Sequence, residues 1–393
     1  MKRILFCSQV PLDLWLGTTR HWNELADCFR GLGWEAHLVG PNEIAGGPAR
    51  VTLETFPQVL RDFLRRAAAG YDVVEYDHAF LPYPRSEFPR GPLLVARCML
   101  LHHHFLTTPL PPAPGIQSWL RHSLNARRRR RRLTRVVAQT DATVRQADLT
   151  VVCNDRDAIA LARNGADPER IAVLPVGMTA GRLRQFATVP DGLPERPVIG
   201  FVGTFDPRKG MCEFPDIVDR VVRQVPGVIF RLLGTAGMVR DADGVRRYFP
   251  RRLWPRLDVY PRYDPNELPG LLAGVSIGVF PSRVEGSPYG VLEMLASSIP
   301  VIAFDAPGPN VMLTPEFLVP IGDSTRLASR VIDLFADPAG LQVARRWARD
   351  RALEFNWERI GEQTARAYED WLARPRASES LSHATYRGRE LEA

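Results

Sequence analysis

Residues 280–300, FPSRVEGSPYGVLEMLASSIP, constrain the fold of this chain more than any other stretch. The apolar run 275–280 has the length and composition of a buried strand, and it stops at Pro281-Ser282. A short loop then carries Glu285-Gly286-Ser287. Ser287 is placed to cap a helix that begins at Pro288, where a missing N–H costs nothing. The helix is expected to run to about Ser298. A second buried strand, 301–304, follows Pro300. Strand, loop, helix and strand in this order form part of a parallel sheet, whose strands need a crossover helix between them.

The helix is apolar nearly all round, through Val291, Leu292, Met294, Leu295 and Ala296, yet it carries Glu293. A buried carboxylate without partners costs several kcal/mol or neutralises. Glu293 is therefore expected to accept hydrogen bonds from hydroxyls or backbone donors. Glu285 lies in the loop one strand end away. Between the two acids, Gly286 and Gly290 let backbone N–H groups come close to a ligand, and the helix start favours an anion. Acids that bind hydroxyls beside an anion-binding helix start suit a molecule that is both sugar and phosphate.

In the setting PSRVEGSPYGVLEMLASSIPV, the pair Glu285 and Glu293 resembles the signature of family 4 glycosyltransferases, which have the GT-B fold. The resemblance implies roles. Glu285 contacts the transferred hexose. The loop from Gly286 through Ser287, Pro288 and Tyr289 to Gly290 holds sugar and diphosphate. Glu293 holds the ribose hydroxyls. The family usually has Gly where Ser298 stands.

The chain has 393 residues, so two domains are expected. Five scattered cysteines without paired short spacing read as reduced thiols, most of them buried, in a cytosolic protein. The N-terminal MKRILFCSQ has too short an apolar run for a signal peptide and reads as a first strand. No stretch has the length of a membrane-spanning helix. The net charge of +7 is concentrated: residues 88–140 hold ten Arg and no acid, more than the whole excess.

Strands are expected at 3–8, 35–39, 71–75, 93–97, 148–152 and 171–175, with helices at 20–30 and 56–69 among the connections. Gly17 precedes the first helix as the only glycine of its loop, so the GxGxxG dinucleotide fingerprint is absent. Gly17 is either a turn glycine or a ligand contact. After the strand at 93–97, the resemblance implies a His that touches the donor sugar, and Met99 stands there. His103, four residues on, is the substitute candidate. The successive imidazoles of His102, His103 and His104 diverge, which disfavours a shared metal. A helix at 117–146 contains six consecutive arginines, Arg127 to Arg132. It is a solvated connector, a face for anionic lipid headgroups at up to about 1 kcal/mol per Arg, or a nucleic-acid surface. No aromatic residue interleaves the arginines, which weakens the last.

The second half opens with a strand at 198–202 and the loop Gly203-Thr204-Phe205-Asp206-Pro207-Arg208-Lys209-Gly210. In the family a Lys before this Gly and a nearby Arg grip the donor diphosphate. Lys209 matches, Thr204 stands where the Arg is usual, and Arg208 is the compensating candidate.

The expected architecture is α/β: two Rossmann-like domains facing across a cleft. The N-terminal acceptor domain spans 1–180, a linker 181–196 and the donor domain 197–355. A helix at 356–373 crosses back onto the N-domain, and a mobile tail fills 374–393. The resemblance implies a metal-independent, retaining transfer of a hexose from a nucleoside-diphosphate sugar, with no further cofactor and no nucleic-acid partner. The acceptor is a sugar or lipid-linked molecule. The location is cytoplasmic, with peripheral attachment to the inner face of a membrane as an extension of that reading. A GT-B epimerase or hydrolase, or a donor-binding protein without transfer, remain the alternatives.

Overall fold

In the computed structural model, which describes residues 1–12, 17–47, 51–113, 123–190, 192 and 194–374, the strands form two six-stranded sheets. The first contains β1 (Arg3–Cys7), β2 (Glu35–Val39), β3 (Val73–Asp77), β4 (Leu93–Cys98), β5 (Leu149–Val152) and β6 (Ile171–Val173), in the order β2-β1-β3-β4-β5-β6. The second contains β7 (Val198–Val202), β8 (Ile229–Leu233), β9 (Leu257–Tyr260), β10 (Ile277–Phe280), β11 (Val301–Phe304) and β12 (Leu318–Val319), in the order β12-β11-β10-β7-β8-β9. Every neighbouring pair is parallel. Helices cover both faces, so β4 and β10 are buried at every residue. This is why their sequences are apolar runs without alternation.

Each sheet is built outward from its first strand to one side and then to the other. The order reverses between β1 and β3, and between β7 and β10. Loops that leave the carboxyl ends of such a strand pair diverge and open a crevice. The loops after β7 and β10 carry the two motifs singled out in the sequence.

The long connecting helix is described over Ala126–Gln146; the expected residues 117–122 lie outside the described residues. Its six arginines are exposed, and its later turns bury Val137, Thr140, Thr143 and Val144. Between the sheets lies a helix, Ala180–Phe186, where sequence composition suggested only a linker. Thr179 caps it by accepting from the Arg182 N–H, and Leu183 and Phe186 pack inward.

The chain crosses between the halves twice, and the two crossings bond to each other. Met178 N–H donates to Phe355 O at 2.8 Å, and Trp357 N–H donates to Met178 O at 3.1 Å. Asn356 then caps the last helix, Trp357–Ala373, by accepting from Arg359 N–H. That helix lies on the first domain. Tyr368 hydroxyl donates to Glu75 and accepts from Arg97, which is paired with Glu75. All three side chains are buried. Trp357 Nε1 donates to Glu24 at 2.6 Å. The expected mobile tail lies outside the described residues from 375 onward. All five cysteines are free thiols, three of them buried. No helix of the described residues is long and apolar enough to cross a membrane.

Candidate active site

The loop after β7 is organised by Asp206. Its carboxylate accepts from the N–H groups of Arg208 and Lys209, at 2.9 and 3.2 Å, and from the Thr204 hydroxyl at 2.7 Å. The turn this fixes sends both basic side chains toward the loop after β10. Arg208 Nη1 lies 2.6 Å and Lys209 Nζ 2.7 Å from Oε1 of Glu285. Ser282 hydroxyl donates to the same oxygen. Burial alone would raise the Glu285 pKa, but Lys209 and Arg208 outweigh it and hold the carboxylate below its usual range. Burial depresses Lys209, opposed by Glu285, and its ammonium also lies 4.8 Å from the centre of the Phe280 ring. Two loops nearly eighty residues apart in sequence thus meet at the point where the strand order reverses.

The helix after the second loop is shorter than expected. It spans Tyr289–Ala296 with Pro288 as its N-cap residue and no side-chain cap. Ser287 does not cap it; its hydroxyl accepts from Val176 N–H instead, at 3.4 Å. The chain leaves the helix through Ser298 at φ 58°, the one described non-glycine residue in the left-handed region. This explains why glycine is the natural residue there. Gly290 and Gly286 are required for close approach. A Cβ on Gly290 would stand 2.4 Å from Val202 O, where the helix packs on β7, and one on Gly286 would stand 1.9 Å from Met99 O. The loop therefore presses directly on the end of β4 in the other domain. Asn154 Nδ2 seals the contact by donating to Gly286 O at 3.0 Å, and Arg156 pairs with Asp305 beside it.

Glu293 is buried, but hydroxyls and backbone donors are not its partners. Arg20 Nη1 donates to its Oε1 at 2.8 Å and Arg182 Nη2 to the same oxygen at 3.1 Å. Arg20 comes from the first helix, Gly17–Gly31, whose first residue is Gly17, and Arg182 from the helix between the sheets. Tyr289 is half-buried nearby, its hydroxyl buried and unpartnered, and burial, then Glu24, raises its pKa far above the usual value. Gly203 N–H bonds Leu233 O, so this glycine is tied to β8 and its loop.

His103, the substitute candidate, is almost fully buried, with Nε2 2.8 Å from Asp141 Oδ1 on the long helix, a partner the sequence reading did not foresee. The three neighbouring imidazoles do diverge: His104 pairs with Asp157, and His102 stacks on His78 with ring centres 6.2 Å apart. His78 is buried at the carboxyl end of β3, with Nδ1 3.3 Å from Asp77 Oδ1, and Gln9 Nε2 donates to the same carboxylate at 2.9 Å. Among the described residues no group of three or more His, Cys, Asp or Glu side chains could hold a metal ion. Arg20, Arg182 and Asn154 were not legible from the sequence, because each reaches Glu293 or Gly286 from an element whose own pattern speaks only of packing.

Residues 196–337 match the family model for Glycosyl transferases group 1. Among curated proteins, the chain is 27% identical over 217 residues to D-inositol 3-phosphate glycosyltransferase of Segniliparus rotundus, covering 52% of this chain and 47% of that protein. It is 29% identical over 184 residues to GDP-mannose-dependent alpha-mannosyltransferase of Mycobacterium tuberculosis, covering 46% and 44%. The chain thus matches about half the length of these curated relatives. Among solved structures it is similar to sucrose-phosphate synthase from Thermosynechococcus elongatus, with a TM-score of 0.73 and 20% identity over 95% of this chain and 100% of that one. Anabaena HepE in complex with UDP-glucose gives 0.67 and 16% over 94% and 100%. The fold is GT-B, and its C-terminal half carries the group 1 glycosyltransferase match.

Proposed function

We propose that this chain is a family 4 retaining glycosyltransferase that moves a hexose from a nucleoside-diphosphate sugar to a sugar or lipid-linked acceptor. The observation that carries the proposal is the convergence of Arg208 and Lys209 on Glu285 where the C-domain strand order reverses. With a donor bound, the diphosphate takes these two cations and Glu285 turns to the hexose hydroxyls. The leaving charge is met by fixed cations and the helix start, which is electrostatic stabilisation without reorganisation. The acceptor enters from the N-domain side and attacks on the face the diphosphate vacates. A phosphate oxygen takes its proton, so the reaction calls on no histidine at position 99, no metal and no further cofactor.

The donor half is tested by thermal shift with UDP, GDP, ADP and dTDP on the intact chain and on Glu293→Ala. One diphosphate should stabilise the intact chain, with a weaker shift in the variant. No shift with any of the four would remove the donor site.

The acceptor half includes the membrane. Arg127, Arg130, Arg131 and Thr134 line a surface depression of about 390 Å³, and Leu124 beside them is 82% exposed. A cationic dent with an exposed Leu near it in sequence suits a phosphate headgroup over an acyl edge, and this supports the reading that the enzyme works at the inner face of a membrane. Flotation with anionic vesicles should carry the chain upward at low salt. Equal failure to float with neutral and anionic vesicles would leave a solvated connector. The sequestration of His103 favours a donor-binding protein as second reading, and release of free diphosphate in the presence of acceptor separates the two.

A further inference from the structure

We infer that Arg20 and Arg182 are positioning residues for the nucleotide's ribose: they clamp one oxygen of Glu293 and leave the other to accept from the donor. The inference rests on the donor site proposed above. Both guanidiniums bond Oε1, at 2.8 and 3.1 Å, and no protein donor among the described residues bonds Oε2. Glu293 as a residue is 4% exposed. Left alone there it would have no partner to fix its orientation. Two guanidiniums on one oxygen hold the carboxylate in place, and a carboxylate oxygen is the acceptor that a pair of neighbouring hydroxyls can share.

The supporting groups are themselves held. The Arg182 guanidinium lies 5.0 Å from the centre of the Phe186 ring, one turn along its own helix. The competing acid beside both arginines is Glu24. Burial pushes its pKa up to about 7, and Trp357 Nε1 already donates to it at 2.6 Å. The cationic charge is thus directed at Glu293. The Tyr263 hydroxyl, whose pKa burial and then Glu293 raise, stays protonated and does not add a second anion.

Arg20 belongs to the N-domain and Glu293 to the C-domain. Ribose recognition is therefore completed only when the two domains stand as they do here. A donor that uses Oε2 of Glu293 gains from the approach of Arg20, and by linkage it favours that approach.

The test compares a ribonucleoside diphosphate with its 2′-deoxy analogue, UDP with dUDP and GDP with dGDP, by calorimetric titration. The proteins are the intact chain, Arg20→Met, Arg182→Met, Glu293→Gln and the double variant Arg20→Met/Glu293→Gln. The intact chain should prefer the ribo form by about tenfold or more, the equivalent of one lost hydrogen bond to a charged group. Each arginine variant should shrink that preference to within about threefold, with little change in affinity for the deoxy form. Adding Arg20→Met to Glu293→Gln should change nothing further. A purely structural role would weaken both nucleotides equally. If the preference collapses in Glu293→Gln but is intact in both arginine variants, the inference is overturned and the donor site stands. If the intact chain binds no diphosphate, both fall. Should Arg20→Met fail to fold, Arg182→Met and Arg20→Lys, which keeps charge but not the fork, decide the matter.

Discussion

Ser298 and His102 show how single residues record the demands of the fold. Ser298 holds φ 58°, a conformation that costs an L-residue roughly 1 kcal/mol. Ser298→Gly should therefore raise stability by about 0.5 kcal/mol or more, read as a higher urea midpoint with an unchanged slope. Burial, reinforced by His78, lowers the His102 pKa from 6.5 to about 4. The fold thus favours neutral His102. Its contribution is complete above pH 6.5 and is lost as pH falls toward 4, because the unfolded chain takes up the proton first. His102→Asn should flatten that acid limb by on the order of 2 kcal/mol in denaturation measured between pH 7 and 4. His78 has the opposite sign. Burial opposes its charge, but Asp77 raises its pKa overall, so its contribution is present below 6.5 and fades as pH rises.

At the level of elements, the sequence disclosed what is local and hid what is long-range. Strands β7, β10 and β11 were legible because a strand buried on both faces must be an apolar run bounded by Gly or Pro. Glu285, Arg208 and Lys209 were legible because each sits in a loop whose spacing is fixed by its own strand and helix. The arginines on Glu293 were not, because they arrive from 273 and 111 positions away. Nothing periodic in the Gly17–Gly31 helix marks one Arg among its polar residues as the one that crosses the cleft. The partner of His103 was hidden for the same reason: Asp141 lies 38 positions away, on the long helix. Gly286 had a local explanation, freedom for a ligand, and turned out to have a long-range one. Gly286→Ala places a carbon against Met99 O and should cost roughly 2–3 kcal/mol as overpacking. The loss should appear as a lower melting temperature, with an increased radius of gyration in small-angle scattering as the domains part.

For the molecule as a whole, the buried Arg97, Glu75 and Tyr368 matter most, because they tie the last helix to the first domain. Arg97→Met leaves Glu75 buried without a cation and should destabilise by about 3–5 kcal/mol. Tyr368→Phe removes one hydroxyl from the pair and should cost about 1–3 kcal/mol. Chemical denaturation followed by tryptophan fluorescence orders the two, and a reversed order would show that the charge is not the dominant element of the anchor. The same anchor bears on how the chain is made. A ribosome delivers the first sheet long before residue 357, so that sheet must wait with Phe29, His21 and the Arg97–Glu75 pair uncovered until the final helix emerges. The N-terminal half is therefore the last part to be finished, and a chain cut short by even these few turns advertises an unfinished surface to quality control.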